Sequence, residues 1–337
     1  MLGAMQSFLC VWGFTCRGVH TMKVLMTGAT GLVGTALTRA LVRDGHSVCR
    51  MVRRETVSRK ADSPSDAAGP RVIDVPWDPE ASGGLTFADS QGDIAGVDAF
   101  VNLAGASIMG GRWTQQRKMV VRSSRVRTTR SVVTALGRLK TPPRVLVSAS
   151  AIGYYGSRGD EVLSEDSKPG DDFLAHVAQE WEAEAEKAKA LGMRVALMRF
   201  GIILAKHGGA LPPMMKAFQF FVGGSMGSGR QWMSWVTLED VVGILRYALD
   251  DASVSGAVNV VAPQPVRNAE FTRELARTLH RPAIFPAPAF ALRLALGQEM
   301  ADSLLLASQR VEPARLADQG YHFLHRDLHA ALAAVLA

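Results

Sequence analysis

From Lys23 onward, short apolar runs alternate with longer stretches in which apolar residues recur every three to four positions. Val24–Thr27 is a strand-like run ending in Gly28. It is followed by a helical pattern through Leu32, Val33, Ala36, Leu37, Ala40 and Leu41 that Gly45 closes. The same reading predicts strands over Ser47–Val52, Val72–Val75, Ala99–Leu103, Val145–Ser148 and Val195–Phe200, and helices over Arg112–Leu139 and Phe173–Leu191. Strands alternating with helices imply right-handed βαβ units and a parallel sheet covered on both faces. Residues 58–71, rich in Ser, Ala, Asp and Pro, read as a surface loop. After Phe200 the pattern loosens. A helix over Leu211–Phe221 carries prolines in its first turn, Asn268 reads as the N-cap of a helix bearing Phe271 and Leu275, and Ala289–Ala337 reads as short helices.

The fold class is therefore α/β, a parallel sheet covered on both faces with a smaller, mostly helical C-terminal part. The expected division is an extension over 1–22, disordered or not translated, with Met22 as the natural initiator. A dinucleotide-binding domain follows over 23–205, to which 229–262 returns, and 206–228 with 263–337 form the smaller part. The 337 residues suffice for this, and the mixture of 47% hydrophobic and 20% charged residues is that of a globular protein. No apolar run approaches the roughly 18 residues of a membrane span. Cys10, Cys16 and Cys49 are too few for a disulfide scaffold and suggest a reducing compartment. The expected location is cytoplasmic, with organellar targeting by residues 1–21 left open. A net charge of +7 favours anionic partners.

The motif that carries chemistry is Thr27-Gly-Ala-Thr-Gly-Leu-Val-Gly34, set between the first strand and the first helix. Gly28 permits a tight turn, Gly31 lets backbone approach a pyrophosphate, and Gly34 lets helix and strand pack closely. Thr27, Gly28, Thr30, Gly31, Leu32, Val33 and Gly34 are thus candidate cofactor contacts. The second strand ends in Arg53-Arg54 where an acid commonly holds the ribose of NAD. Guanidinium groups suit a 2′-phosphate, so NADP(H) is preferred over NAD(H).

With Asn102-Leu-Ala-Gly105, Ser148-Ala-Ser-Ala-Ile-Gly-Tyr-Tyr-Gly156 and Gly227-Ser-Gly-Arg-Gln-Trp232, the chain resembles the atypical short-chain dehydrogenase/reductase superfamily. Within it, the chain is most similar to the "epimerase family protein" subgroup, sometimes labelled cell-division-inhibitor-like. Asn268-Ala-Glu-Phe271 and Glu299-Met-Ala-Asp302 resemble that group's C-terminal domain. The resemblance implies a Rossmann-type doubly wound parallel sheet that binds NADP(H), with a smaller, mostly helical C-terminal substrate domain. It implies further cofactor contacts from Leu103, Ala104 and Gly105, from Val120 and Arg125 on the helix bearing Ser124-Arg125-Val126, and from Ile202 and Ile203. It also implies a Tyr-x-x-x-Lys pair for proton transfer, which is missing. The helix Phe173-Leu-Ala-His-Val-Ala-Gln-Glu-Trp-Glu-Ala-Glu184 places His176 and Glu180 there instead. A His–Glu pair four residues apart can shuttle a proton, although His176 also reads as an ordinary solvent-facing residue. Ser150 stands where the superfamily orients substrate, and Tyr154 and Tyr155 could place a phenol in the cleft.

Three readings of function follow. The first is an NADP(H)-binding oxidoreductase-like protein acting on a small carbonyl or alcohol. The second is a non-catalytic NADP(H)-binding regulator, and the third an epimerase that retains its cofactor. Seven basic residues between Arg112 and Arg130 lack the interleaved aromatics of a nucleic-acid surface. The expected partners are a small molecule, neither nucleic acid nor membrane, with a homodimer compatible. His322, His325 and His329 lack the frame of a metal site, so no metal is expected. The run Glu180, Glu182, Glu184 and Glu186 reads as a solvated face. Trp232, Met233 and Trp235 fit a pocket wall or the core equally.

Overall fold

The computed structural model describes residues 21–53, 69–78 and 94–337. The expected extension over residues 1–20, Arg54 and most of the expected 58–71 loop lie outside the described residues. The first half of the chain runs β1 (Lys23–Thr27), α1 (Leu32–Arg43), β2 (Ser47–Arg53), β3 (Val72–Trp77), β4 (Ala99–Asn102), α2 (Gln115–Leu136), β5 (Val145–Ala151), β6 (Val162–Leu163), α3 (Phe173–Glu186) and β7 (Arg194–Phe200). It continues through β8 (Ile202–Ala205), β9 (Gly208–Gly209), α4 (Leu211–Gln219), β10 (Trp232–Met233), β11 (Trp235–Thr237), α5 (Leu238–Asp250) and β12 (Gly256–Val260). The last stretch holds β13 (Val266–Arg267), α6 (Asn268–Leu279), α7 (Ala289–Leu296), α8 (Gln298–Leu304), β14 (Arg310–Val311), α9 (Ala314–Asp318) and α10 (Leu328–Leu336).

Seven strands form one parallel sheet in the order β12-β7-β5-β4-β1-β2-β3. Both faces are covered, which is why its central strands read as unbroken apolar runs. Alternate residues divide between the two layers. Val24, Met26, Val101 and Val147 pack with Leu37 and Leu41 of α1 and Ile244 and Leu245 of α5. Leu25, Phe100 and Leu146 face the other way, onto Val132 and Leu136 of α2 and Ala185 of α3. The C-terminal region is mainly helical, with Phe271 and Leu275 of α6 and Leu328 and Leu332 of α10 in a core of their own. No helix among the described residues is long and apolar enough to cross a membrane.

Several elements depart from the sequence reading for identifiable reasons. Strand β12 was not expected, because Asn259 breaks its apolar run. That residue is fully buried, and its side chain accepts from Tyr155 Oη at 2.7 Å and donates to the Glu312 carbonyl at 2.9 Å. Helix α2 starts later than Arg112 because Thr114 caps it, accepting from Arg117 N at 3.1 Å. Asn268 is the first residue of α6 rather than its cap, and its Oδ1 accepts from Met226 N at 2.8 Å, tying down the glycine-rich 223–229 loop. Glu182 and Glu184 are buried, not solvated, on different sides of α3: Glu182 meets Arg199 of β7, and Glu184 meets Arg130 of α2. Trp235 is fully buried and belongs to the core, whereas Trp232 lies between the guanidinium groups of Arg267 and Arg310.

Candidate functional site

The strand order reverses between β1 and β4, and the chain leaves both strands there in loops. A ligand crevice opens at such a reversal, outside the carboxyl ends of the strands. On its floor Thr27 Oγ1 donates to Asn102 Oδ1 at 2.7 Å, and Asn102 Nδ2 donates to Thr129 Oγ1 at 2.8 Å. The Thr27 side chain is therefore turned into the sheet and fixes the crevice from behind.

Gly28 has φ +67°, and a Cβ there would stand 2.5 Å from the Leu103 carbonyl oxygen. A Cβ on Gly34 would stand 2.3 Å from the Gly28 carbonyl oxygen. The first turn of α1, the glycine loop and the β4–α2 loop thus meet without room for a methyl group. Gly31, by contrast, is exposed, as is Thr30, and no side chain caps the start of α1. Its free N–H groups face outward, the arrangement that binds a phosphate. Leu32 and Val33 are half-buried. A Cβ on Gly208 would come within 2.9 Å of Leu32 Cδ1, so the β8–β9 hairpin leans on the glycine loop and brings half-buried Ile202 and Ile203 to the crevice.

Leu103 and Ala104 are half-buried and Gly105 is exposed. Arg125 lies beneath Gly105, its Cζ 3.3 Å from where a Cβ would be. Its Nη1 donates to the carbonyls of Ala106 and Val121, each at 3.1 Å, and its plane sits over Trp181. No carboxylate pairs with it among the described residues. Burial first, and Arg117 second, hold its pKa down to about 10. Val120 is exposed and, five residues earlier, points away from Arg125 around α2. Arg53 is exposed at the carboxyl end of β2, beside β1. The structure thus gathers the glycine loop, Leu103–Gly105, Arg125 and Ile202–Ile203 at one crevice, with Arg53 at its rim.

The three candidate catalytic residues are not gathered in the same way. Ser150 is buried and its Oγ donates to Glu182 Oε1 at 2.6 Å. Glu182 in turn holds Arg199 through two hydrogen bonds of 2.8 Å. Arg199 Nη1 donates to Tyr155 Oη at 2.9 Å and to the Glu165 carbonyl at 3.2 Å. Glu165 accepts from Asn259 N at 3.0 Å, closing the cluster. Burial opposes the charge of Arg199, and Glu182 overrides it, holding the guanidinium above its ordinary value. Burial pushes the Tyr155 phenol up to about 12. Tyr154 is half-exposed, its ring centroid 3.5 Å from Arg199 Cζ. His176 is exposed on α3, and Glu180, one turn on, is held by Arg122 at 2.7 Å instead.

Sequence reading missed Glu182, Arg199, Glu165 and Asn259, and of the two candidate phenols it offered, Tyr155 is turned into this buried cluster. One signal was available, since Glu182 falls on the same helical stripe as Ala178, Trp181 and Ala185, which are all buried. An acid on such a stripe implies a buried cation. The histidines near the C-terminus separate: His325 Nδ1 lies 3.2 Å from Thr237 Oγ1, and His329 Nδ1 lies 3.1 Å from Glu274.

A family model described as the NAD dependent epimerase/dehydratase family matches residues 24–261, and one described as a domain of unknown function matches 287–335. The chain is 38% identical over 319 residues to an epimerase family protein of Bacillus subtilis, spanning 94% of this chain and 98% of that one. It is 37% identical over 317 residues to a chloroplastic epimerase family protein of Arabidopsis thaliana, spanning 94% and 87%. The crystal structure of the human epimerase family protein SDR39U1 with NADPH superposes with a TM-score of 0.79 at 33% identity, covering 94% of this chain and 99% of that one.

Proposed function

Since the chain belongs to the NAD-dependent epimerase/dehydratase family, we propose that it is an NADP(H)-dependent oxidoreductase acting on a small carbonyl or alcohol. The observation that carries this reading is the crevice itself. It joins uncapped N–H groups of α1, a glycine loop with no room for a methyl group, and a half-buried arginine with no carboxylate partner among the described residues. The outward side of Gly31 is open, so the residues present fit a dinucleotide whose phosphates lie against that helix start. The structure of SDR39U1 with NADPH supports the same reading.

The cofactor would supply the hydride, and this chain's residues would bind and orient it. Arg53 takes the 2′-phosphate at the rim, and Arg125 offers a positive charge under the β4–α2 loop. Tyr154, seated on Arg199, is the phenol best placed to pass a proton at the cleft, because Ser150 is committed to Glu182 and Glu180 to Arg122. A nucleic-acid partner does not suit α2, whose Lys118, Arg122 and Arg130 pair with Glu299, Glu180 and Glu184.

Calorimetric titration with NADPH and NADH tests the reading. NADPH is expected to bind more tightly. Arg53→Ala should weaken NADPH by about ten- to a hundred-fold, the worth of one charge-assisted contact to phosphate, and leave NADH unchanged. Equal affinity for the two cofactors in the parent protein would refute the assignment of Arg53. A non-catalytic regulator is the second reading, favoured by the missing Tyr-x-x-x-Lys pair. Tight NADPH binding with no oxidation by any member of a carbonyl panel would select it.

Arg125 gives a sharper test, because ligand affinity and stability should move apart. A cation whose pKa is lowered on folding costs stability at neutral pH, and stability rises as pH climbs above about 10. Arg125→Met is therefore expected to melt no lower than the parent without ligand at pH 7, while losing tenfold or more in NADPH affinity. A lower melting point with unchanged affinity would make Arg125 a structural residue only.

A further inference from the structure

Two loops of the C-terminal region run side by side and turn bulky apolar side chains outward. Ala287 N donates to the Ser225 carbonyl, and Gly227 N to the Ala287 carbonyl, both at 2.8 Å, which ties residues 220–227 to 281–287. On this joint surface Phe220 is 76% exposed, Phe221 54%, Val222 61%, Ile284 66% and Phe285 60%. The Arg281 guanidinium lies 5.5 Å from the Phe221 ring, so the two segments form one face. Contiguous exposed apolar surface on this scale marks a contact with something else.

The backbone leads to the same place. Among the described residues, only Phe221 and His280 have positive φ without being glycine, at 59° and 52°. Each follows a helix that ends at this face, α4 and α6, where glycine would sit without strain. A phenylalanine kept in that position presents a ring to solvent.

The two stretches that supply the face carry basic residues and no acidic ones. No aspartate or glutamate occurs between Glu186 and Glu239, nor between Glu274 and Glu299, the stretches that supply the face. Lys216, Arg277, His280 and Arg281 stand exposed in them. Protruding phenylalanines with exposed basic residues on the same two segments, Arg281 directly beside the Phe221 ring, are the composition of a peripheral membrane contact, in which rings enter the headgroup boundary and cations meet anionic lipid. We propose that the Phe220–Val222 and Ile284–Phe285 face docks on an anionic lipid surface. This inference is independent of the proposed chemistry. It also revises the expectation of no membrane partner, which rested on the lack of a spanning segment.

Co-sedimentation of the full chain with vesicles tests the proposal. One set is phosphatidylcholine alone, and the other contains about one-third phosphatidylserine, an anionic surface of ordinary strength. The protein is expected to partition onto the anionic vesicles, at least tenfold less onto the neutral ones, and less at high salt. Phe220→Ser and Phe285→Ser should each reduce partition by about tenfold, and Lys216→Glu and Arg281→Glu by about fivefold or more. Phe221→Gly should also weaken partition while melting no lower than the parent, which separates loss of docking from loss of fold. Partition no greater than in vesicle-free controls overturns the proposal. So does partition that survives removal of the rings. A concentration-dependent dimer abolished by the same substitutions, without vesicle binding, would assign the face to a second copy and equally overturn it.

Discussion

Gly34→Val is expected to abolish NADPH binding, with a loss of at least a hundred-fold by calorimetric titration, and to lower the melting temperature. The reason is steric and local. The Cβ alone would stand 2.3 Å from the Gly28 carbonyl oxygen and 2.7 Å from Ala29 Cα, and both are backbone atoms that no rotamer change can move. Either α1 retreats from β1 or the glycine loop shifts, and each alternative carries the N–H groups at the start of α1 away from the phosphates. Overpacking in a close-packed region costs about 1–3 kcal/mol, with the upper end apt where backbone meets backbone. Gly28 doubles the constraint, since its φ of +67° disfavours any side chain and its Cβ would meet the Leu103 carbonyl. Gly192→Ala is the control. Gly192 also has positive φ, at 78°, but its Cβ would meet nothing within 4 Å. That substitution should cost about 1 kcal/mol in stability and leave cofactor affinity within error. If Gly34→Val binds NADPH as the parent does, the glycine loop is not the phosphate site.

The part of this site that could be read from the chain is the part written in local sequence. A glycine triplet between a strand and a helix constrains backbone within eight residues, so its chemistry shows before any fold is known. The parallel sheet was legible for the same reason, since burial on both faces leaves unbroken apolar runs such as Phe100–Val101 and Val145–Val147. The polar cluster behind the cleft was not legible. Glu182 reaches Arg199 across 17 residues, Tyr155 reaches Asn259 across 104, and Glu165 reaches the Arg315 amide across 150. Such partners are set by the order of strands, not by spacing along the chain. Strand β12 escaped notice by the same route, because its buried Asn259 is made tolerable only by distant groups. Phe221 and His280 escaped differently, in that a helix end expected to hold glycine held something bulkier.

Glu182→Gln is expected to destabilise the protein by about 3–5 kcal/mol, because it leaves the Arg199 charge buried without a carboxylate. Arg199 is 4% exposed and Glu182 7%, so water cannot take the place of the lost partner. The loss is a large share of the roughly 5–15 kcal/mol that holds a domain together. Arg199→Met should cost as much from the other side, stranding the carboxylate and withdrawing the donor from Tyr155 Oη. The double substitution Glu182→Leu with Arg199→Met should recover most of the loss, since a paired charge replaced by apolar volume removes the desolvation cost along with the attraction. Urea denaturation of the parent, Glu182→Leu, Arg199→Met and the double variant measures this, and simple addition of the two single losses in the double variant would show that the groups act independently. Ser150→Ala separates the two roles open to that serine. As a donor to Glu182 it should cost about 1–2 kcal/mol in stability, because the buried carboxylate loses one charge-assisted hydrogen bond while Arg199 Nε remains on the same oxygen. Unchanged stability would mean that the hydroxyl does not hold the ion pair, and would return Ser150 to the substrate side of the cleft. A loss shared with Glu182→Gln would make the serine, the glutamate and the arginine one device. Its work would then be to hold Tyr154 at the carboxyl ends of β5 and β7, where the β8–β9 hairpin brings Ile202 and Ile203.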